Sequence, residues 1–426
     1  MGLTVSQKRI ILGVVASFII FLLLVFSFRQ KRPPSVTLTI WALEDDQKTF
    51  QPILKQFQSY YPNVKFNYVL KDEKTLEEDY IKALANNNPP DIFMIYDSWL
   101  SVFWDRIAFL DLSKEKNFNS FYVDQIYPDN IKARIFPEKR YLAGVPLYID
   151  TLALYYNQDY FNYFNIPLPP KSWAEVISLI PKLRRINEKG QLVRSAIALG
   201  TVNNIDHFKD ILAMLFFNFG NNIIGPEKKS LLKEKSAQEA LQFYLQFSDS
   251  KSSNYTYNEN LDNSLKSFAE GKTVMVLGYY TDQKTIQEYN PNLNYKVTYL
   301  PYFSSPESKI NYARSLLVVV SDRSPRYSYA WAFLKFLAQK ETGNLYYSLT
   351  GKPPARKDLI ALYLNDPKSG VFVQQILTSR FFYQFNPQKI EEVFKTLLEE
   401  IIYQNYPIEK ALERAKDRFE FYWQQK

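Results

Sequence analysis

Cysteine is absent from all 426 residues, which excludes disulfides, thiolate metal sites, a cysteine nucleophile and a lipidated cysteine. Histidine occurs once, at His207. A single imidazole without thiols argues against a transition-metal cargo, and no G-x-S-x-G turn accompanies it to build a Ser-His-Asp site. Its Asp206-His207-Phe208 context places it near the start of a helix, as a non-catalytic imidazole. Glycine is scarce, 12 residues, and no two stand one residue apart, so the dinucleotide fingerprint is missing. The one G-x-x-x-x-G, Gly220 to Gly225, runs into Pro226-Glu227 where a phosphate loop needs Lys and Ser or Thr. No metal site or cofactor is expected, and neither a cysteine nor a Ser-His-Asp catalytic site.

Basic residues exceed acidic ones, 52 to 44, for a net charge of +8. Five of the basic residues, Lys8, Arg9, Arg29, Lys31 and Arg32, precede the first acid. What remains is ordinary for a soluble domain, and a nucleic-acid partner is not expected. Between those charges, residues 10–28 form an uncharged apolar run of 19 residues. At 1.5 Å per residue it spans roughly 28 Å, the thickness of a bilayer core. It ends without the small-x-small pair of a cleaved signal. The expectation is a tail at 1–9, a single transmembrane anchor at 10–28 and a linker at 29–35 containing Pro33-Pro34.

Beyond the anchor, strand and helix signals alternate. Val36–Ala42 is β-branched and apolar; Phe50, Ile53, Leu54 and Phe57 follow a helical period; Val64–Leu70 alternates; 75–84 is helical behind a Thr75-x-x-Glu78 capping box; 91–96 is a short apolar strand. This β-α-β-α-β order signifies a parallel sheet with helices on its faces. The signals recur at 152–156, after Ser172-x-x-Glu175, and at 195–199, 206–219 and 274–277, and from Ser324-Pro325 onward the chain reads as helical.

Aromatics are in excess: 32 Phe, 32 Tyr and 6 Trp. Most fill helical stripes and belong to a core. A minority end strands, where open α/β sheets bind ligands: Trp41, Tyr96, Tyr148 and Tyr279-Tyr280. Flat rings beside the loop acids Asp97 and Asp150 suit a sugar, whose C–H face stacks while its hydroxyls need partners. The acidic runs at 77–79, 391–392 and 399–400 read as solvated helix faces. Whether the isolated acids catalyse or only bind is left open by residue pattern alone.

Several segments, in order, carry a resemblance: the opening strand ending in Trp41; Asn88-Pro89-Pro90-Asp91-Ile92; the run from Gly144 to Thr151 leading into Leu154-Tyr155-Tyr156-Asn157; PPKSWAE at 169–175; FAEGKTVMVLG at 268–278; the helix with AWAFLKFL; and TGKPPARKDL at 350–359. Together they resemble the extracellular solute-binding proteins of ABC importers, family 1, the maltose-binding type, over residues 36 to about 426. The resemblance implies a two-lobed α/β periplasmic-binding-protein-like fold of type II, with the cleft between lobe 1 (36–150 plus 312–357) and lobe 2 (151–311 plus 358–426). It implies passages between lobes near 150–154, 312–316 and 357–365. It also implies a non-enzymatic receptor that delivers a carbohydrate to ABC permease subunits, with its body on the outer face of the membrane. Cleft candidates at the matching positions are Trp41, Glu44, Asp45, Tyr96, Asp97, Tyr148, Asp150, Tyr279, Tyr280, Arg314 and Arg356. The competing expectations are a surface glycoside hydrolase using two cleft carboxylates and a ligand-sensing ectodomain.

Overall fold

The computed structural model describes residues 34–136, 139–225 and 229–424, together with Ser17. Apart from Ser17, the anchor expected at 10–28 and the tail before it lie outside the described residues. Among the described residues no helix is long and apolar enough to cross a membrane.

The chain first lays down β1 (Val36–Ala42), β2 (Val64–Leu70), β3 (Ile92–Tyr96) and β4 (Gly144–Thr151). β1 runs parallel to β2, from Val36 opposite Val64 to Ala42 opposite Leu70, and parallel to β3 at Ile40 and Ile92. Parallel neighbours need crossovers, and the helices Gln47–Tyr60 and Leu76–Ala85 supply them, the first burying Phe50, Ile53, Leu54 and Phe57 as the spacing predicts. The expected capping box at Thr75 does not form: Thr75 has helical backbone angles and its side chain caps nothing. At Ser172 the cap does form, with Ser172 Oγ accepting from Glu175 N, while Glu175 turns back to Lys171 N.

A second sheet follows, made of β5 (Ala153–Asn157), β6 (Arg185–Ile186), β7 (Leu192–Ile197), β8 (Thr273–Gly278) and β9 (Tyr295–Thr298), in the order β9-β5-β8-β7-β6. β10 (Asn311–Val320) and β11 (Ser379–Arg380) then complete the first sheet, whose order is β11-β10-β3-β1-β2 with β4 on the free part of β10. Each sheet has its own apolar core. Leu38, Phe57, Ile95, Val145, Val318 and Trp331 lie in the first; Leu154, Trp173, Phe216, Val276, Phe394 and Phe419 lie in the second.

The chain passes between the cores three times, and the passages lie side by side. The first falls between Ile149 and Leu152, the second between Tyr312 and Ala313, as core membership shows. The third is not complete at 357–365: Ile360, Val373 and Ile376 pack in the first core, Phe372 among them reaches the second, and the chain stays with the second core from Phe382 and Phe385 onward. The reason is β11, which pairs with the start of β10 at Asn311–Ser379 and Tyr312–Arg380 and so holds the crossing there. β4 pairs with the same stretch at Ala313–Thr151 and Arg314–Asp150.

Candidate functional site

The carboxyl end of β1 delivers Glu44 and Asp45 to a buried polar cluster. Lys352 Nζ donates to Glu44 Oε2 at 2.6 Å and to Asp45 Oδ1 at 2.8 Å. The hydroxyls of Tyr148 (2.6 Å) and Tyr96 also donate to Glu44, and that of Tyr346 donates to Asp45 at 2.6 Å. Burial disfavours the Glu44 charge, but Lys352 and Arg314 outweigh it and hold this carboxyl below its ordinary range. Lys352 belongs to the TGKPPARKDL segment but was not among the expected site residues.

Arg314, opposite Asp150 in the β10–β4 ladder, joins this cluster to the second core. Its guanidinium lies 5.0 Å from the Tyr96 ring centre and 4.0 Å from that of Tyr279, and its Nη2 donates to Thr281 Oγ1 at 2.6 Å. Asp150 accepts from the backbone N–H of Tyr280 (2.9 Å) and Thr281 (3.2 Å), so a carboxylate of one strand pins the turn after β8. Burial raises the Asp150 carboxyl to about 6 although Arg314 opposes the shift. Tyr279 donates to Asp210 Oδ2 at 2.8 Å, and its ring meets His207 edge-on. His207 itself sits at φ 59° as the cap of the helix Phe208–Asn218, with Nε2 2.8 Å from Asp282 Oδ2. Burial alone draws the imidazole pKa down, yet Asp282 more than compensates and raises it.

Between the cores lies a cavity of about 190 Å³. Glu73, Tyr96 and Ser98 form its first-core wall; His207, Phe208, Lys209, Asp210 and Glu391 form the opposite one; Tyr312, Arg314 and Gln384 come from the crossing segments. Of the expected residues only Tyr96 and Arg314 line it. Glu44, Asp45 and Tyr148 stand behind Tyr96, and Asp150, Tyr279 and Tyr280 hold Arg314 and the second wall. Glu73, Lys209, Asp210, Gln384 and Glu391 were not expected. They sit in a loop, on helices and in an irregular crossing, where no periodicity marks a ligand-facing side chain.

Three expected residues lie elsewhere. Trp41 is buried in the first core, its ring edge-on to Tyr80 and covered by Lys71 Nζ at 4.3 Å. Asp97 is internal: it accepts from Ser315 N at 2.9 Å, faces Arg134 at 3.5 Å, and is raised to about 6 by burial. Arg356 is ion-paired with Asp358 at 2.8 Å beside a water-sized cavity of about 10 Å³, away from Arg314. Four of the five rings expected to stack on a sugar carry cations of the protein instead: Lys71 on Trp41, Lys352 on Tyr148, and Arg314 on Tyr96 and Tyr279; the fifth, Tyr280, meets Phe372 edge-on. No group of three or more acids or imidazoles is placed to hold a metal ion, among the described residues.

This geometry, two α/β cores with a polar cavity where three crossings meet, is accompanied by a match of residues 53–369 to the family model described as bacterial extracellular solute-binding protein. The chain belongs to that family. As a solute-binding protein it takes up its ligand outside the cytoplasm, and its family is a binding class. It is 21% identical over 340 residues to a binding protein of Brucella abortus strain 2308, covering 78% of this chain and 79% of that one. Its fold is shared with the ABC transporter solute-binding protein of Thermotoga lettingae bound to α-D-tagatose, at a TM-score of 0.71 and 20% identity, over 90% of this chain and 99% of that one. It is likewise shared with the GacH receptor of Streptomyces glaucescens, solved unliganded and with acarbose, at a TM-score of 0.72 and 16% identity over 90% and 97% of the two chains.

Proposed function

We propose that this solute-binding protein captures a sugar or short oligosaccharide in the cavity between its cores and delivers it to the permease of an ABC importer. In this reading residues 10–28 anchor it to the cell membrane with the binding body on the outer face. The observation that carries the proposal is the origin of the cavity walls. Side chains of both cores and of the strand crossing between them face one space, so a ligand there gains its full contacts only when the cores are together. Structural relatives bound to tagatose and to acarbose support the sugar class. The cavity is smaller than the 300–1,000 Å³ of drug-sized sites, which favours one ring held fully.

The test is a thermal-shift screen of the full chain against mono- and oligosaccharides. A ligand at 100 times its dissociation constant stabilises by about 2.7 kcal/mol; no shift with any sugar rejects the class. Recovery of the sugar unchanged separates binding from hydrolysis, the reading that the two carboxylates Glu73 and Asp210 in one cavity would otherwise favour. The anchor is tested by fractionation: removal of residues 1–32 should move the protein from the membrane pellet to the soluble fraction.

A further inference from the structure

Pro34 is tied to an aromatic patch at the start of the first sheet. Asn63, at the turn into β2, donates through Nδ2 to the Pro34 carbonyl at 3.1 Å and to the Tyr329 hydroxyl at 3.2 Å. Tyr60 and Tyr61, at the end of the helix Gln47–Tyr60, are 66% and 37% exposed. The Tyr61 ring lies 6.4 Å from that of Tyr329, and the buried rings of Phe57 and Phe336 pack against Tyr61 and Tyr60. What sets this patch apart from other exposed rings, such as Phe121 and Tyr163, is the direct tie to Pro34.

Its charge has one sign. From Gln47 to Lys71 the chain carries four lysines and no acid, and Lys65, opposite Thr37 in the β1–β2 ladder, is exposed at the same end of the sheet. Glu115, which meets the neighbouring helix Tyr327–Leu337, is neutralised by Lys335 at 3.0 Å. Arg29, Lys31 and Arg32 precede Pro34 without an acid. From Phe28, the last residue of the apolar run, to Pro34 is six residues, which cannot span more than about 22 Å even fully extended. An anchor at 10–28 therefore holds this patch within reach of the bilayer surface. Tyrosine is enriched at membrane–water interfaces, where its ring meets the acyl boundary and its hydroxyl the water. Lysine near the surface is drawn to anionic headgroups. The cavity lies at the other, carboxyl ends of the strands, about 23 Å away by the seven-residue length of β1, so contact here leaves it free.

We propose that this end of the first sheet is a membrane-contact face: Tyr60, Tyr61 and Tyr329 sit among the headgroups of the bilayer that holds the anchor, with Lys65 against anionic lipid. The body then lies on the membrane in one orientation, its first core down and its second core free to move. The proposal rests on the anchor read at residues 10–28, and the experiment separates the two.

The chain has no cysteine, so a fluorophore can be placed at one position at a time. Ser59→Cys puts it beside Tyr60; Asn292→Cys, exposed next to the end of β5 that points away from the crossings, is the reference. The full chain is reconstituted into vesicles of equal parts phosphatidylcholine and phosphatidylglycerol with a trace of lipid carrying a headgroup nitroxide. The label at 59 should be quenched at least about twice as strongly as the label at 292. Adding Tyr60→Ser and Lys65→Glu should bring the two together while the chain stays with the vesicles. The comparison of the two labels needs neither of those substitutions, so it stands if that variant does not fold. Equal quenching at the two positions, or a difference that a folded variant leaves unchanged, overturns the proposal. So does shielding of position 59 from aqueous iodide without lipid quenching, which assigns the patch to a second copy of the chain. A chain that does not enter the vesicles removes the anchor instead, and the face is then read with preformed vesicles of the same lipid: stronger quenching at 59 than at 292 upholds it, and none at either position overturns it.

Discussion

The guanidinium of Arg314 lies 4.0 Å from the centre of the Tyr279 ring, so a cation on a strand of the first sheet is seated on an aromatic of the second core. It is also the main counter-charge of Asp150 and, after Lys352, the second of Glu44. Arg314→Ala should therefore cost about 3–5 kcal/mol of stability, the loss seen when one partner of a buried charge set is removed. Arg314→Lys should recover part of it, since a point charge replaces a planar fork that both stacks and donates. Urea denaturation of the two variants checks this; a loss below about 1 kcal/mol for the alanine variant would show the cluster to be solvated.

Lys352 is the sole cation hydrogen-bonded to both Glu44 and Asp45 among the described residues. Lys352→Met leaves two carboxylates in a buried site, and a loss of about 3–5 kcal/mol is expected. Adding Glu44→Gln and Asp45→Asn should return a good part of that loss, because the uncompensated charges are gone. A triple variant no more stable than the single one would assign the role of Lys352 to packing.

The pH dependence of stability has a definite sign at Asp150. Its carboxyl is raised from the ordinary 3.8 to about 6 in the folded protein, so the folded state binds a proton more readily than the unfolded chain. Its contribution is fully present below about pH 4 and is lost as pH rises through about 6, a change worth roughly 3 kcal/mol. Asp150→Asn keeps an acceptor for the Tyr280 and Thr281 N–H groups but cannot ionise. The stability gap between variant and parent should therefore shift in favour of the variant between pH 4.5 and 7.5, measured by denaturant midpoints. A gap independent of pH would place an ordinary carboxyl at this position.

Gly351 has φ 68°, and a Cβ there would overlap the Tyr280 hydroxyl. Gly351→Ala should cost about 1 kcal/mol for the left-handed backbone alone, with a further loss from displacing Tyr280. Tyr280→Phe in the same chain should relieve the second part and not the first. Thermal melts of the parent, the single and the double variant resolve the two contributions; equal melting of the single and double variants would remove the steric one.

How far the site was legible depends on which kind of element carries each residue. Glu44, Tyr96, Asp150 and Tyr279 end or follow strands, and the strands of a twisted α/β sheet bring their ends together; their convergence on Arg314 follows from the strand pattern. Trp41 also sits at a strand end, yet its ring packs under the Leu76–Ala85 helix against Tyr80. Position along a strand does not decide which face a side chain takes. Arg356 reads as a free cation until Asp358, two residues on, is seen to neutralise it. Glu73, Asp210 and Gln384 meet only through tertiary packing, and nothing in their local sequence distinguishes them from solvated polar residues.

The pairing of all three crossings has a consequence for integrity. Because β4 and β11 both pair with the first residues of β10, bending between the cores is distributed over three backbones in one ladder rather than over separate tethers. Cutting a single crossing with a protease would leave the two halves joined by the other two, so a nicked molecule should migrate as one species in native gels and separate only when denatured.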